Sequence, residues 1–192
     1  VIQEEAEEDL RGLAGLGDEE ISDTVLVTAR SRFNWLVVNL GTAVLASVVI
    51  SLFEGTIEAM VALAVLMPIV ASMGGNAGTQ TMTVAVRALA TQELDARNMW
   101  RVLRREVLVS LLNGVALAVL IGLCAWFWFG NIGLGVVIGT AIVVNLLFAG
   151  MSGLLIPVVL EKLRIDPAIA SSVFVTTVTD VVGFFAFLWI AA

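Results

Sequence analysis

The chain has 192 residues, of which 59% are hydrophobic and only 14% charged, and its mean hydropathy is +1.01. These values lie far outside the usage of soluble globular domains and exclude that class. The net charge of −7 is unevenly spread, because residues 1–23 carry −8, from nine acids against Arg11, while the rest carries +1. This balance indicates a nearly neutral membrane body behind an acidic segment and gives no support to nucleic-acid binding.

The residue types needed for common catalytic sites are absent. The chain contains no histidine and one cysteine, Cys124, which excludes His-based triads and thiolate zinc sites. Only one carboxylate, Asp180, lies inside an apolar run, whereas a membrane enzyme needs a nucleophile with a base or paired carboxylates. We therefore expect that the protein is not an enzyme.

Residues 1–23 are too polar to insert into a membrane. Their apolar positions follow helical spacing and predict a short amphipathic helix: Ile2, Ala6, Leu10, Leu13 and Leu16. The acidic start lacks the basic region of a signal peptide, and the chain opens on Val1, so we expect a piece of a longer protein. We divide it into an acidic cytosolic connecting helix, residues 1–29, and a membrane domain, residues 30–192.

Five segments are apolar enough to cross a bilayer, which requires about 20 apolar residues per helix. The predicted spans one to five are residues 33–53, 59–86, 107–129, 134–160 and 168–192. Span two lacks charge but contains Pro68 and a polar, glycine-rich cluster at 73–80, so we expect a kink or an unwound middle there. The fold class is thus an all-α membrane protein with five transmembrane helices per chain.

Basic residues of the membrane domain gather at alternate span ends. All nine lie before span one, between spans two and three, or between spans four and five: Arg30, Arg32, Arg87, Arg97, Arg101, Arg104, Arg105, Lys162 and Arg164. Because arginine and lysine favour cytoplasmic loops, we expect a cytoplasmic N-terminus and a C-terminus outside. The tryptophans, which prefer membrane interfaces, agree with this orientation.

Asp180 is the most informative residue, because a carboxylate near mid-bilayer costs about 2.5 to 3.5 kcal/mol on insertion scales. Arg87, a proton or a cation in a water-filled pore are the candidate partners. Ser172 and Thr176 fall within an arc of about 80° of it on a helix, and Gly183 continues that face. The stripe indicates a pathway wall; alternatively, the hydroxyls bond to their own helix and a protonated Asp180 joins helices.

Span two carries a second polar stripe. Its members share one helical face: Asn76, Thr79, Gln80, Thr83 and Arg87. Gly75 and its neighbour Gly74 would expose backbone oxygens to a hydrated ion, which favours pore lining. The alternative is a close helix crossing through the small-residue spacing of Gly74 and Gly78. For the single amides of the other spans, Asn39, Asn113 and Asn145, we expect inter-helix hydrogen bonds.

Two separated motifs resemble the MgtE magnesium channels. One is PIVASMGGNAGTQT at 68–81 with RALAT at 87–91, and the other is DPA at 166–168 with TTVTDVVG at 176–183. Residues 1–9, VIQEEAEED, resemble the end of that family's paired cystathionine-β-synthase-type (CBS) domains, running into the connecting helix. The resemblance covers essentially the whole chain.

The resemblance implies a homodimer in a bacterial or archaeal plasma membrane, with the ion pathway between the second and fifth helices of both copies. Asp180 matches the family's pore acid, and Ser172, Thr176 and the Gly75–Asn76 region match neighbouring pore positions more loosely. The missing N-terminal and CBS domains sense Mg²⁺ in the family. A regulatory role for the connecting helix would involve four of its acids, Glu4, Glu5, Glu8 and Asp9.

We therefore expect a Mg²⁺ channel or transporter in which Mg²⁺ is both the transported ion and the ligand of Asp180. Mg²⁺ prefers oxygen ligands and dehydrates reluctantly, and two copies of Asp180 would balance its two charges. One alternative is a proton- or sodium-coupled carrier of divalent cations with Asp180 as the relay, suggested by the broken span two. Another is a purely structural subunit.

Overall fold

The structure, a computed structural model, describes residues 24–95 and 97–192. Its elements in chain order are six helices: α1 Val25–Ser51, α2 Glu54–Ala59, α3 Ala62–Ala90, α4 Met99–Phe129, α5 Ile132–Lys162 and α6 Pro167–Ala191. All except the short α2 are long and apolar enough to span a membrane, and no strand occurs in these residues. The predicted all-α class with five spanning helices is confirmed.

The helix ends differ from the predicted spans, because the spans were read from charge-free runs. α4 begins eight residues before span three and includes three arginines and Glu106 in its first turns. The chain turns at Leu52 and Phe53, where span one was still expected to continue. α1 runs across the expected boundary between residues 29 and 30, and the amphipathic helix predicted within residues 1–23 lies outside the described residues.

The expected unwound middle of span two is wrong. α3 is continuous from Ala62 to Ala90, with Pro68 inside it and the glycine-rich cluster fully helical. Every backbone amide inside a bilayer needs a partner, and a helix supplies one within the segment. Gly74 and Gly78 are buried against other helices, so close packing compensates for their low helix propensity.

α5 is the central helix and packs against α3, α4 and α6. Half of its most apolar stretch is buried. Its contact with α4 depends on small residues, since a Cβ atom on Gly135 would lie 2.5 Å from the Gly122 carbonyl oxygen. The two backbones therefore approach more closely than larger side chains would allow. A short turn joins these helices, in which Gly130 adopts a left-handed conformation and the Asn131 side chain caps α5.

α1 lies at the edge of the bundle and packs mainly against α6. Only 6% of its most apolar stretch is buried in the single chain. Large apolar side chains such as Phe33, Leu36 and Leu40 are more than 60% exposed. In a membrane protein such a surface contacts lipid tails or a further protein chain.

Candidate functional site

A buried asparagine lies where α3, α5 and α6 cross. The Nδ2 atom of Asn145, on α5, donates a 2.8 Å hydrogen bond to the backbone carbonyl of Val70 on α3. Gly74 of α3 and Gly183 of α6 both face this amide, and a Cβ atom on either would lie less than 3 Å from its Cγ atom. The inter-helix bond expected for Asn145 is therefore confirmed, and it depends on two neighbours without side chains.

The other two amides differ from Asn145. Asn39 donates to the Trp35 carbonyl of its own helix at 3.1 Å, so the inter-helix bond expected of it is wrong. Asn113 is exposed on the surface of α4. Both side chains lie on helices at the edge of the bundle, whereas α5 is enclosed by α3, α4 and α6.

A second close approach joins α3 to α6. A Cβ atom on Gly78 would lie 2.6 Å from Val175 Cγ1 and 3.5 Å from Thr179 Cγ2. Gly153 of α5 lies against the same residue, since a Cβ atom added to Gly153 would lie 2.7 Å from the Gly78 carbonyl oxygen. The small-residue explanation of Gly74 and Gly78 is therefore confirmed.

The polar stripe of α3 lies on the opposite, outer face of the same helix. All its members are exposed: Asn76, Thr79, Gln80, Thr83 and Arg87. Gly75 lies beside them with open space around its Cα, since a Cβ atom there would meet nothing within 4 Å. The hydroxyl of Thr83 donates to the Thr79 carbonyl at 2.9 Å, and Asn76 Nδ2 donates to Ser72 Oγ at 3.4 Å. Close packing and an exposed polar stripe therefore coexist on α3.

The candidate residues of α6 are half-buried. Ser172, Thr176 and Asp180 are all partly accessible, and the Thr176 hydroxyl donates to the Ser172 carbonyl at 2.9 Å. The alternative that these hydroxyls bond to their own helix is thus correct for Thr176. Within residues 24–95 and 97–192, Asp180 has neither a hydrogen bond nor an ion pair, and Arg87 does not reach it.

Gly183 belongs to the packing and not to the exposed stripe. It is buried and faces the Asn145 amide inside the bundle, although its position one turn beyond Asp180 suggested a shared face. The regulatory candidates Glu4, Glu5, Glu8 and Asp9 lie outside the described residues. In the part of the chain that the structure describes, no three acidic, histidine or cysteine residues come together to hold a metal ion.

Sequence reasoning missed a contact between α3 and α4. The Thr81 hydroxyl donates to Glu106 Oε2 at 3.2 Å, and both residues are half-buried. The two residues lie 25 positions apart, so no local pattern indicates the pair. The only available signal was a carboxylate directly before an apolar run. The bond joins α3 to α4, which otherwise touch little.

Comparison with a family model and with three curated proteins points to the same family. The family described as MgtE, divalent cation transporter, matches residues 67–190. Relatives named magnesium transporter MgtE from Bacillus subtilis and Enterococcus faecalis are each 36% identical over the whole chain, and one from Thermus thermophilus is 36% identical over 197 aligned positions. The chain spans 42% to 43% of the length of these relatives. It is a membrane protein and belongs to the MgtE family of divalent cation transporters.

Proposed function

We propose that this chain forms the membrane pore of a magnesium transporter, in which hydrated Mg²⁺ crosses passively along an axis between two copies. The magnesium transporters named above support Mg²⁺ as the substrate, since their similarity extends over the entire chain. The N-terminus is cytoplasmic in this proposal, because the nine basic residues of the membrane domain lie at the span ends that share a side with it, and arginine and lysine favour the cytoplasmic side.

The exposed polar face of α3 carries the proposal. Two amides, two hydroxyls and a guanidinium line one side of a membrane-spanning helix without inter-helix partners in the described chain. Lipid tails offer such groups no hydrogen bonds, so the face requires water or another polar surface. A second copy related by a two-fold axis would enclose it in a shared aqueous pathway and give both copies the same lining.

Asp180 supplies the charge for the transported ion. A single carboxylate does not balance Mg²⁺, whereas one from each copy does, and the ion in turn compensates for placing the carboxylates in the membrane. Ser172 and Thr176 add oxygen atoms towards the cytoplasmic end of the same helix. The membrane potential drives the flux with about 2.3 kcal/mol per charge per 100 mV, or roughly 4.6 kcal/mol for Mg²⁺.

The coupled carrier was suggested mainly by a broken span two. Transporters of that kind coordinate ions with unwound backbone at the bilayer midplane. α3 is an uninterrupted helix through the glycine-rich cluster, so this support is lost.

Uptake of Mg²⁺ into liposomes containing the chain tests the proposal. A potential that is negative inside should drive accumulation, and imposed proton or sodium gradients at zero potential should not. Empty liposomes and liposomes with the Asp180→Ala variant are the controls. Accumulation that follows a proton or sodium gradient, or flux that is unchanged by Asp180→Ala, would refute the pore mechanism.

A further inference from the structure

We propose that an arginine-lined groove on the outer face of α4 binds the headgroup of an anionic phospholipid. The inference does not depend on the proposed transport function. The groove has a volume of about 580 Å³, and eight residues line it: Arg97, Trp100, Arg101, Arg104, Arg105, Leu108, Val109 and Leu112. We call it the arginine groove.

The lining residues form one continuous stripe. Arg97 lies just before α4, and from Trp100 to Leu112 the others recur at helical intervals along it. Glu106 and Ser110, which lie against Gly150 of α5, are on another side of the helix. The stripe begins with four arginines and continues with apolar side chains, of which Leu108 is 60% and Leu112 72% exposed. The groove therefore has a cationic end and an apolar end, in the order in which a phospholipid presents its headgroup and its acyl chains.

The positive charge of the groove is not neutralised within the described chain. None of its four arginines forms an ion pair with residues 24–95 or 97–192. Of the nearby acids, Asp95 Oδ1 accepts bonds from the backbone amides of Arg97 and Asn98, and Glu106 accepts from Thr81. Glu93 lines a separate, smaller cavity with Arg105 and forms no ion pair with it in the described residues. Four adjacent guanidinium groups without carboxylate partners match a phosphate, which they bind in a bidentate manner.

Trp100 adds a contact typical of the membrane interface. The Arg104 guanidinium lies over its ring, 5.1 Å from the centroid. This cation–π contact holds the charge beside an indole, which prefers the headgroup depth. The groove thus has its cations at headgroup level and its leucines at acyl-chain level.

The acidic segment 1–23 of the chain is a competing occupant, with a charge of −8. An acidic peptide would pair with the arginines but would leave Leu108, Val109 and Leu112 without a matching surface. The bias of basic residues towards the cytoplasm also explains arginines at this end, but it does not require them to share one face with a tryptophan and an apolar groove. A ligand with a phosphate and acyl chains satisfies both ends.

Native mass spectrometry of the full chain in a mild detergent tests the proposal. Dioleoyl phosphatidylglycerol and dioleoyl phosphatidylcholine, which share their acyl chains, are titrated against the parent, an Arg101→Gln/Arg104→Gln variant and a Lys162→Gln/Arg164→Gln control. Both variants lose two exposed positive charges, so their folding should be unaffected, and only the first alters the groove. Circular dichroism and gel filtration verify the fold.

The parent should bind phosphatidylglycerol more tightly than phosphatidylcholine. The groove variant should bind it roughly 30-fold more weakly, the factor expected for two interfacial arginine charges, and the control should stay within about twofold of the parent. Equal losses in both variants would overturn the proposal, as would equal binding of the two lipids. Binding of phosphatidylglycerol that rises several-fold once Glu4, Glu5, Glu7, Glu8 and Asp9 are changed to amides would also overturn it, because the acidic segment would then be the occupant.

Discussion

The inner and outer faces of α3 show how one helix serves two purposes. On the inner face Gly74 and Gly78 are buried against Asn145 and Val175, and no side chain would fit there. On the outer face Asn76 and its neighbours along the stripe are exposed, and the hydrogen bonds of Asn76 and Thr83 stay within the helix. The two faces alternate within a few residues, so neighbours in sequence have opposite environments.

This difference separates residues that maintain the bundle from residues that line the proposed pathway. A methyl group added to the inner face meets atoms that are themselves held by hydrogen bonds and packing. The same group on the outer face meets open space. Inner substitutions should therefore change stability, and substitutions along the proposed pathway should change flux or association. The following experiments examine this separation, beginning with the largest expected effect.

Asp180→Ala should reduce Mg²⁺ flux by roughly 100-fold or more, if each of two carboxylates stabilises the ion by about 1.4 kcal/mol. The protein should still insert and remain folded, since removal of a charge relieves an insertion cost. Flux is measured with a Mg²⁺-sensitive dye in liposomes. Glu161→Ala, which removes an exposed carboxylate at the end of α5, is the matched control and should transport like the parent.

A cysteine on the outer face of α3 should crosslink two copies. Thr83→Cys in a Cys124→Ser background, needed because Cys124 is exposed, should give a dimer band as the major product on non-reducing gels. Thr176→Cys provides a second axial position on α6. Val119→Cys, on an exposed apolar face of α4, is the control and should remain monomeric. Monomers from both axial positions would show that the polar face does not meet a second copy.

Gly74→Ala and Gly75→Ala form a matched pair. The new methyl group at Gly74 would lie 2.8 Å from the Cγ atom of Asn145, whose amide is buried and bonded to Val70, so overpacking should cost about 1 to 3 kcal/mol. At Gly75 the methyl group meets no atom within 4 Å, and better helix propensity should stabilise the protein by up to about 1 kcal/mol. Thermal unfolding in detergent compares the two; equal midpoints would contradict the inner and outer assignment.

Much of the fold could be predicted from the sequence. Runs of apolar residues predicted five spanning helices, because burial in lipid requires length and apolarity that few soluble segments have. Helical spacing also placed Asn76, Thr79, Gln80, Thr83 and Arg87 on one face. The helix ends were less predictable, since α4 continues through charged residues at the membrane surface, where water satisfies both the charges and the backbone.

The partners of single residues could not be derived from spacing. Asn39, Asn113 and Asn145 look alike in sequence, yet only the one on the enclosed α5 bonds to another helix. Gly183 was grouped with Asp180 because it lies three residues away, whereas the fold turns it towards Asn145. Both outcomes depend on which helices surround a position, and that is a property of the assembled bundle.

Substitutions in the acidic segment 1–23 should have the smallest effect on Mg²⁺ flux. Its placement is outside the described residues, so the expectation depends on charge alone. Carboxylates crowded at residues 4–9 repel one another, and millimolar Mg²⁺ reduces that repulsion by binding between them. A compact segment close to the cytoplasmic pore mouth would then hinder entry of ions, and the hindrance from this one short segment should be weak.

Replacement of Glu4, Glu5, Glu7, Glu8 and Asp9 by glutamine and asparagine tests this expectation. Flux at millimolar cytosolic Mg²⁺ should rise by about two- to threefold, because the segment can no longer bind the cation, while flux at micromolar Mg²⁺ should stay the same. The same substitutions at Asp18, Glu19 and Glu20 are the control and should have a smaller effect, since those acids are fewer. If the parent and the variant depend on Mg²⁺ identically, the acids are a solvated helix face with no part in gating.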